Sequence, residues 1–262
     1  MQDVLFKIVE HKRAELATYD FGDIEAQARA ASRATISMQR SIRECVSGGI
    51  IAEFKRRSPS KGWINQSAEP QVVVSGYREV GAAACSVLTN EEFFGGSLSD
   101  LRAAREVAGD DLPLLRKEFI IDERQIFEAR VAGADAVLLI AACLSTEECR
   151  HLAEVAHSVD LEVLLEIHTA DELSHLNEFV DMLGVNNRNL GSFVTNVATS
   201  FRLAEQMRER GSDLVLVSES GIDSAATIRE LSGVGFGGFL IGETFMKSDN
   251  PPQALCQLIG EL

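Results

Sequence analysis

From Gly49 to the C-terminus, short apolar runs alternate with stretches patterned like amphipathic helices. The runs are GIIAEF (49–54), ACSVLTN (84–90), LPLLRKE (112–118), AVLLIAA (136–142), LEVLLEIH (161–168), MLGVNN (182–187), LVLVSES (214–220) and GFLIGET (238–244). Most are rich in Val, Ile and Leu, as strands buried on both faces are. The segments between them carry helix punctuation. Ser97-Leu98-Ser99-Asp100 leads into LRAAREVAG, Asp122 precedes ERQIFEARVAG, Ser145-Thr146-Glu147-Glu148 opens CRHLAEVAHSV, and Asp223-Ser224 opens AATIRELSG. A Ser, Thr or Asp there accepts hydrogen bonds from the free N–H groups of the first turn, and a Gly ends the last.

Eight strand–helix units fit this stretch, and their alternation implies a parallel sheet. An open doubly wound sheet is the competing architecture. It usually has fewer strands and places its phosphate loop after the first one. Here the Gly-rich turns follow the last two strands, so the predicted fold is an α/β (β/α)8 TIM barrel. Residues 1–47 read as a helical N-terminal extension, with Val4, Leu5, Ile8 and Val9 on one face, and residues 48–262 as the barrel. No Pro/Ser-rich linker interrupts the chain, so a single domain over 1–262 is expected.

Charge narrows the choice of partners. The chain carries 25 basic and 40 acidic side chains, a formal net charge of -15. That field repels nucleic acid, and an anionic substrate would need local positive charge to hold it. The five cysteines, Cys45, Cys85, Cys143, Cys149 and Cys256, form no CxxC pair. They read as free thiols in a reducing cytoplasm, without disulfides or a zinc site. The histidines do not cluster, and His168 reads as a loop residue, so no metal is expected. The N-terminus lacks a signal-peptide apolar core, and no run approaches the ~20 residues of a membrane span. A cytoplasmic monomer or weak homo-oligomer, with no membrane partner, is the expectation.

Several predicted strands end in charge where a barrel interior should be apolar. Glu53, Lys117, Glu166 and Glu219 fall on strands one, three, five and seven. Barrel interiors fill in layers of four from alternate strands, so these four are predicted to form the top layer. Lys55 shares the face of Glu53, one step nearer the mouth. A structural ion-pair ring is the plain alternative. Buried charges cost several kcal/mol unless well paired, and an apolar layer would close the barrel at less cost. Charges at these strand ends point instead to acid–base chemistry. Asn186 and Arg188 end strand six, where Arg188 can grip a carboxylate with two hydrogen bonds. Ser220-Gly221 and Gly242-Glu243, after the last two strands, suit a phosphate. Ser58 to Gly62 reads as a mobile loop whose hydroxyls and Lys61 could reach one. Phe94 and Phe119 could wall an aromatic pocket or simply pack beneath loops.

In order, IAEFKRRSPSKGWI, LLRKEFI, VLLEIH, GVNNRNL, VSESGI and FLIGETFM resemble indole-3-glycerol-phosphate synthase, a (β/α)8 barrel of tryptophan biosynthesis. The likeness spans the chain, and six strings in register are far more specific than any one. It implies a carboxy-lyase that converts 1-(2-carboxyphenylamino)-1-deoxyribulose 5-phosphate to indole-3-glycerol phosphate, CO2 and water, without a cofactor. By resemblance, Lys117 is the general acid of ring closure and Glu166 the base of dehydration. Lys55 contacts the substrate carboxylate, and both lysines are candidates for the proton given to departing water. Glu53 orients Lys117 and touches the anilino nitrogen, Asn186 and Arg188 hold the closing end, and Glu219 supports the charge network. Ser58, Ser220, Gly221, Gly242 and Glu243 match substrate and phosphate contacts, and Phe94 and Phe119 match the aromatic walls. The family often has Ser after Gly242. Glu243 is therefore expected to offer its backbone N–H and turn its carboxylate away. A sister barrel, phosphoribosylanthranilate isomerase, would need Cys on strand one and Asp on strand six, where this chain has Glu53 and Asn186. A non-catalytic, metabolite-binding barrel would have lost Lys55, Lys117 or Glu166, and all three are present.

Overall fold

The computed structural model describes residues 4–189, 194–209 and 214–262; Leu190 of the GVNNRNL string lies outside them. Each predicted run forms a strand: β1 (Ile50–Phe54), β2 (Ala84–Leu88), β3 (Leu114–Lys117), β4 (Ala136–Ile140), β5 (Glu162–Ile167), β6 (Met182–Asn186), β7 (Val215–Glu219) and β8 (Gly238–Ile241). The strands pair in parallel with their sequence neighbours, and β8 closes on β1 through Ile50↔Phe239 and Ile51↔Leu240. Caps act where the sequence places them. Ser97, Asp122, Ser145 and Ser224 accept from the backbone N–H groups of Asp100, Arg124, Glu148 and Thr227. One unit departs from expectation. The connection between β5 and β6 holds only the 3-10 turn Asp171–His175, in which Leu173 is the buried side chain. One buried residue cannot supply the apolar stripe that docks a full helix.

Alternation along the strands creates two cores. Outward residues such as Ala52, Phe54, Leu139 and Leu165 pack beneath the helices. Inward residues such as Ile51, Leu115, Leu138, Leu164, Met182, Val217 and Leu240 fill the barrel. Each such fully buried side chain contributes roughly 1.5–3 kcal/mol. This apolar plug supports the charged layer at the C-terminal ends of the strands.

The N-terminal extension is more than an appendage to this barrel. It comprises α1 (Val4–Thr18), α2 (Ile24–Arg29) and α3 (Met38–Glu44). Met38 and Ile42 of α3 join the inner core. Ser41 Oγ donates to the Ala83 carbonyl at 2.5 Å, just before β2, so α3 stoppers the N-terminal end. Between α2 and α3, Arg33 reaches the fully buried Asp135 (2.8 Å), which Arg105 also binds (2.7 Å). Helix α1 crosses the opposite end and brings Val4, Leu5 and Ile8 to the barrel mouth. It is pinned there by a buried ion pair, Lys12 Nζ to Glu118 Oε2 at 3.1 Å. Glu118 also accepts from Asn90 Nδ2 (3.1 Å) and the Phe119 N–H (2.8 Å). Lys12→Ala would leave that carboxylate short of its cation. The expected loss is about 3 kcal/mol, the lower end for a broken buried pair because the donors Asn90, Thr89 and the Phe119 N–H survive. It should appear as a lower urea unfolding midpoint, and an unchanged midpoint would show that α1 is held by its apolar face alone. Among the described residues, no helix is long and apolar enough to cross a membrane.

Candidate active site

The charged layer is the floor of a cavity of about 420 Å³ at the C-terminal mouth. Lys117, at the end of β3, donates to Glu219 Oε2 at 2.7 Å and to Glu166 Oε2 at 3.3 Å. Lys55 Nζ lies 2.6 Å from Glu53 Oε1. Backbone close by makes room for these groups. A Cβ at Gly242 would collide with the Glu53 carboxylate, and one at Gly184 with that of Glu219. Gly242 therefore shapes the floor as well as the mouth. One expected pairing differs. The salt-bridge partner of Glu53 is Lys55, two residues along the same strand face, whereas Lys117 turns to Glu219 and Glu166. Glu53 acts on Lys117 through the field between them.

Enclosure strengthens every interaction in this layer. Burial works against the charge on Lys117, but Glu219, Glu166 and Glu53 outweigh it and raise its pKa. Burial likewise opposes ionisation of Glu53, yet Lys55 and Lys117 hold it below the usual carboxylate range. Glu166 is also held low against burial, by Lys117, His168 and a hydrogen bond with Asn186. Glu219 behaves in the opposite way. Burial and the neighbouring Glu166 overcome Lys117 and push its pKa up to about 7. The floor therefore sets two carboxylates that favour ionisation, Glu53 and Glu166, beside the Lys117 ammonium and a carboxyl, Glu219, that holds its proton more tightly than usual.

Arg188 commands the mouth. Its Nη1 donates to Ser60 Oγ and its Nη2 to Glu243 Oε2, both at 3.3 Å, and its backbone N–H donates to Asn186 Oδ1 at 3.0 Å. Lys61 Nζ stands 3.8 Å from Glu243 Oε1. Glu243 thus faces two cations across the cavity, contrary to the expectation that it turns away: Arg188 and Lys61 attract its carboxylate inward. Ser220, at φ 68°, and Gly221, at φ 75°, form a left-handed turn after β7 along the cavity wall. Such a backbone is strained for Ser and is characteristic of functional sites. Phe94 and Phe119 both line the cavity, with ring centroids 6.1 Å apart.

Of the predicted residues, Ser58 alone is not on the cavity wall. The expected mobile loop is a tight antiparallel ribbon that pairs Arg57 with Trp63 and Ser58 with Gly62. The ribbon buries Ser58 and presents Pro59, Ser60 and Lys61 to the cavity. The sequence reading also missed contributors. The apolar face of α1 was visible, but not that it roofs the site. Asn187 is buried and ties β6 to β7, donating to Ser218 Oγ (3.0 Å) and the Ser220 carbonyl (3.1 Å). Its place in the Asn-Asn doublet, facing away from Asn186, was the available signal.

The sequence profile of the family described as indole-3-glycerol phosphate synthase matches residues 5–258. The chain belongs to this family. An indole-3-glycerol phosphate synthase from Bacteroides thetaiotaomicron is 52% identical over 264 residues, covering 97% of each protein. One from Acidithiobacillus ferrooxidans is 42% identical, covering 98% of this chain and 99% of its own. Among solved structures, a mutant tryptophan synthase alpha-subunit from Pyrococcus furiosus superposes with a TM-score of 0.62 at 13% identity, over 82% of this chain and 97% of that one. A 3-hexulose-6-phosphate synthase gives 0.62 at 14% identity, over 82% and 99%. At such identities these two neighbours speak for the barrel fold. Membership of the indole-3-glycerol phosphate synthase family rests on the sequence matches.

Proposed function

We propose that this indole-3-glycerol phosphate synthase performs ring closure with the floor residues in the following roles. The substrate is 1-(2-carboxyphenylamino)-1-deoxyribulose 5-phosphate. The aryl carbon bearing the carboxylate attacks the ketone carbon, and Lys117 gives its proton to the ketone oxygen. Loss of CO2 returns the bonding pair to the ring and restores aromaticity. Glu166 then takes a proton from the ring CH2 beside nitrogen, while the hydroxyl leaves with a proton from a lysine as water. The observation that carries this reading is Lys117 Nζ held between Glu166 and Glu219 on the cavity floor. An ammonium beside a carboxylate suits an acid and a base acting in turn at one reaction locus. Glu219, its pKa raised by burial and by Glu166 and its carboxylate 2.7 Å from Lys117, is suited to recharge it.

The remaining residues position the substrate. Lys55, oriented by Glu53, takes the substrate carboxylate, and Asn186 and Arg188 hold the closing end. Phe94 and Phe119, with Val4, Leu5 and Ile8, face the aromatic ring. Ser220 and the N–H groups of Gly221, Gly242 and Glu243 receive the phosphate. Ser60 and Lys61 replace Ser58 as the contacts from the ribbon. Locally placed cations explain how a chain of net charge -15 can hold a substrate that carries both a phosphate and a carboxylate. The enzyme acts in the cytoplasm as a monomer or weak homo-oligomer; its exposed large apolar side chains, among them Phe6, Trp63 and Val72, lie on different elements. The test is direct. The purified chain, given the substrate, should develop indole fluorescence and release one CO2 per product. Binding without either signal would overturn the assignment.

The Glu243 carboxylate competes with incoming anions for Arg188 and Lys61. Glu243→Gln should therefore lower KM by about threefold, the scale of a partly exposed ion pair, and change kcat less. A raised KM would mean that Glu243 instead holds Arg188 in its productive position.

A further inference from the structure

His168 follows β5, and its side chain is only 11% exposed. It does not line the cavity. Its ring lies between two carboxylates. Nε2 is 3.4 Å from Glu166 Oε1, and Nδ1 is 3.6 Å from Glu172 Oε2. Neither ring nitrogen has a closer hydrogen-bond partner among the described residues. Glu172 is fixed independently by the backbone N–H groups of His168 (2.6 Å) and Thr169 (3.3 Å). The turn therefore does not need the imidazole to hold Glu172 in place. Along the line Glu172, His168, Glu166, Lys117 and Glu219, carboxyl and basic groups alternate.

We infer that His168 is a positioning residue which, as an imidazolium clamped between Glu172 and Glu166, keeps Glu166 ionised after Lys117 has given up its proton. The inference rests on the reading of Glu166 as the dehydration base. When Lys117 protonates the ketone oxygen it becomes neutral, and Glu166 loses the cation 3.3 Å away. The cation at 3.4 Å remains, and it sits behind Glu166 where substrate cannot displace it. The other groups around the ring favour its proton. Glu172 comes from the following turn and Glu219 from β7, while Asn186 on β6 is uncharged. Cys143, from the turn after β4, has its thiol pushed up to about 12 by burial and by Glu166 and Glu172, so it stays neutral. Burial opposes the imidazolium, but the carboxylates of Glu172 and Glu166 on its two sides prevail and raise the pKa of His168.

The test is the pH dependence of His168→Gln and His168→Asn, each of which keeps a polar atom near one ring nitrogen position. Without the cation, the pKa of Glu166 rises, so the acid limb of kcat should move to higher pH. A shift of one unit makes kcat roughly tenfold lower at the acid end. The variants should converge with the wild type at the alkaline end, where its own His168 has lost the proton, and KM should stay unchanged. A uniform fall at every pH, as a packing role predicts, or a superimposable profile would overturn the inference. A second measurement uses the intact wild type. NMR titration of the His168 ring should find it protonated through neutrality, and a ring titrating at or below its ordinary value of about 6.5 would overturn the inference whatever the variants do. Glu166→Gln separates the two levels. Full activity there removes the base assignment itself, whereas an inactive Glu166→Gln beside unshifted His168 variants removes the role of His168 alone.

Discussion

Lys117→Ala is expected to lower kcat by on the order of 10²–10⁴-fold, the range for a deleted general acid, and to change KM little. The expectation follows from depth. Lys117 is set on the floor and paired with Glu219 and Glu166, while the cations proposed to receive the substrate's anions are Lys55, Arg188 and Lys61. Removing it therefore strips transition-state stabilisation more than ground-state binding, and losses confined to kcat are the kinetic signature of that. Lys117→Arg sharpens the test. A guanidinium would keep the positive charge for Glu166 and Glu219 but cannot deprotonate in a protein. If charge alone served, the Arg variant would approach the wild type. If proton donation is the role, it should fall with the Ala variant. Indole fluorescence under saturating substrate decides between these outcomes. A Lys117→Ala enzyme within a few-fold of wild-type kcat would transfer the acid role to Lys55.

The barrel and its charged floor were legible because both rest on local rules. A strand buried on both faces is rich in branched apolar residues, and a cap is written within four positions of the helix it starts. Strand alternation then put Glu53, Lys117, Glu166 and Glu219 on the inner face without any knowledge of contacts. What could not be read was decided by distances between elements or by turn geometry. Glu53 chose Lys55 over Lys117 because the same strand face brings the nearer ammonium to it. Ser58 and Ser60 are chemically alike, and only the pairing of Ser58 with Gly62 determines which hydroxyl the ribbon buries. The apolar face of α1 was visible as periodicity, but not the mouth it covers. His168 looked like a loop residue because its significance lies in standing between two carboxylates at once. Glu243 was expected to avoid the anion site because the phosphate was considered before the cations that receive it.

Glu166→Gln is expected to cost a similar 10²–10⁴-fold in steady-state kcat, but at a later step. Gln keeps the volume and can still hydrogen-bond Asn186, so the floor should stay packed. It removes a negative charge 3.3 Å from Lys117, which weakens the hold on the proton that Lys117 must donate. Ring closure and decarboxylation should therefore survive, while removal of the CH2 proton fails. A single-turnover experiment separates the steps. CO2 should be released in the first turnover at a rate near that of the wild type, with indole fluorescence lagging far behind it. The closed, decarboxylated, still hydroxylated intermediate should accumulate and be recoverable by acid quench. If CO2 release and fluorescence slow together, Glu166 acts in closure, and the division of labour between the acid and base of this floor must be redrawn. If only fluorescence lags, the pairing of Lys117 with Glu166 describes two consecutive proton transfers at one site, the first made easier by the substitution that blocks the second.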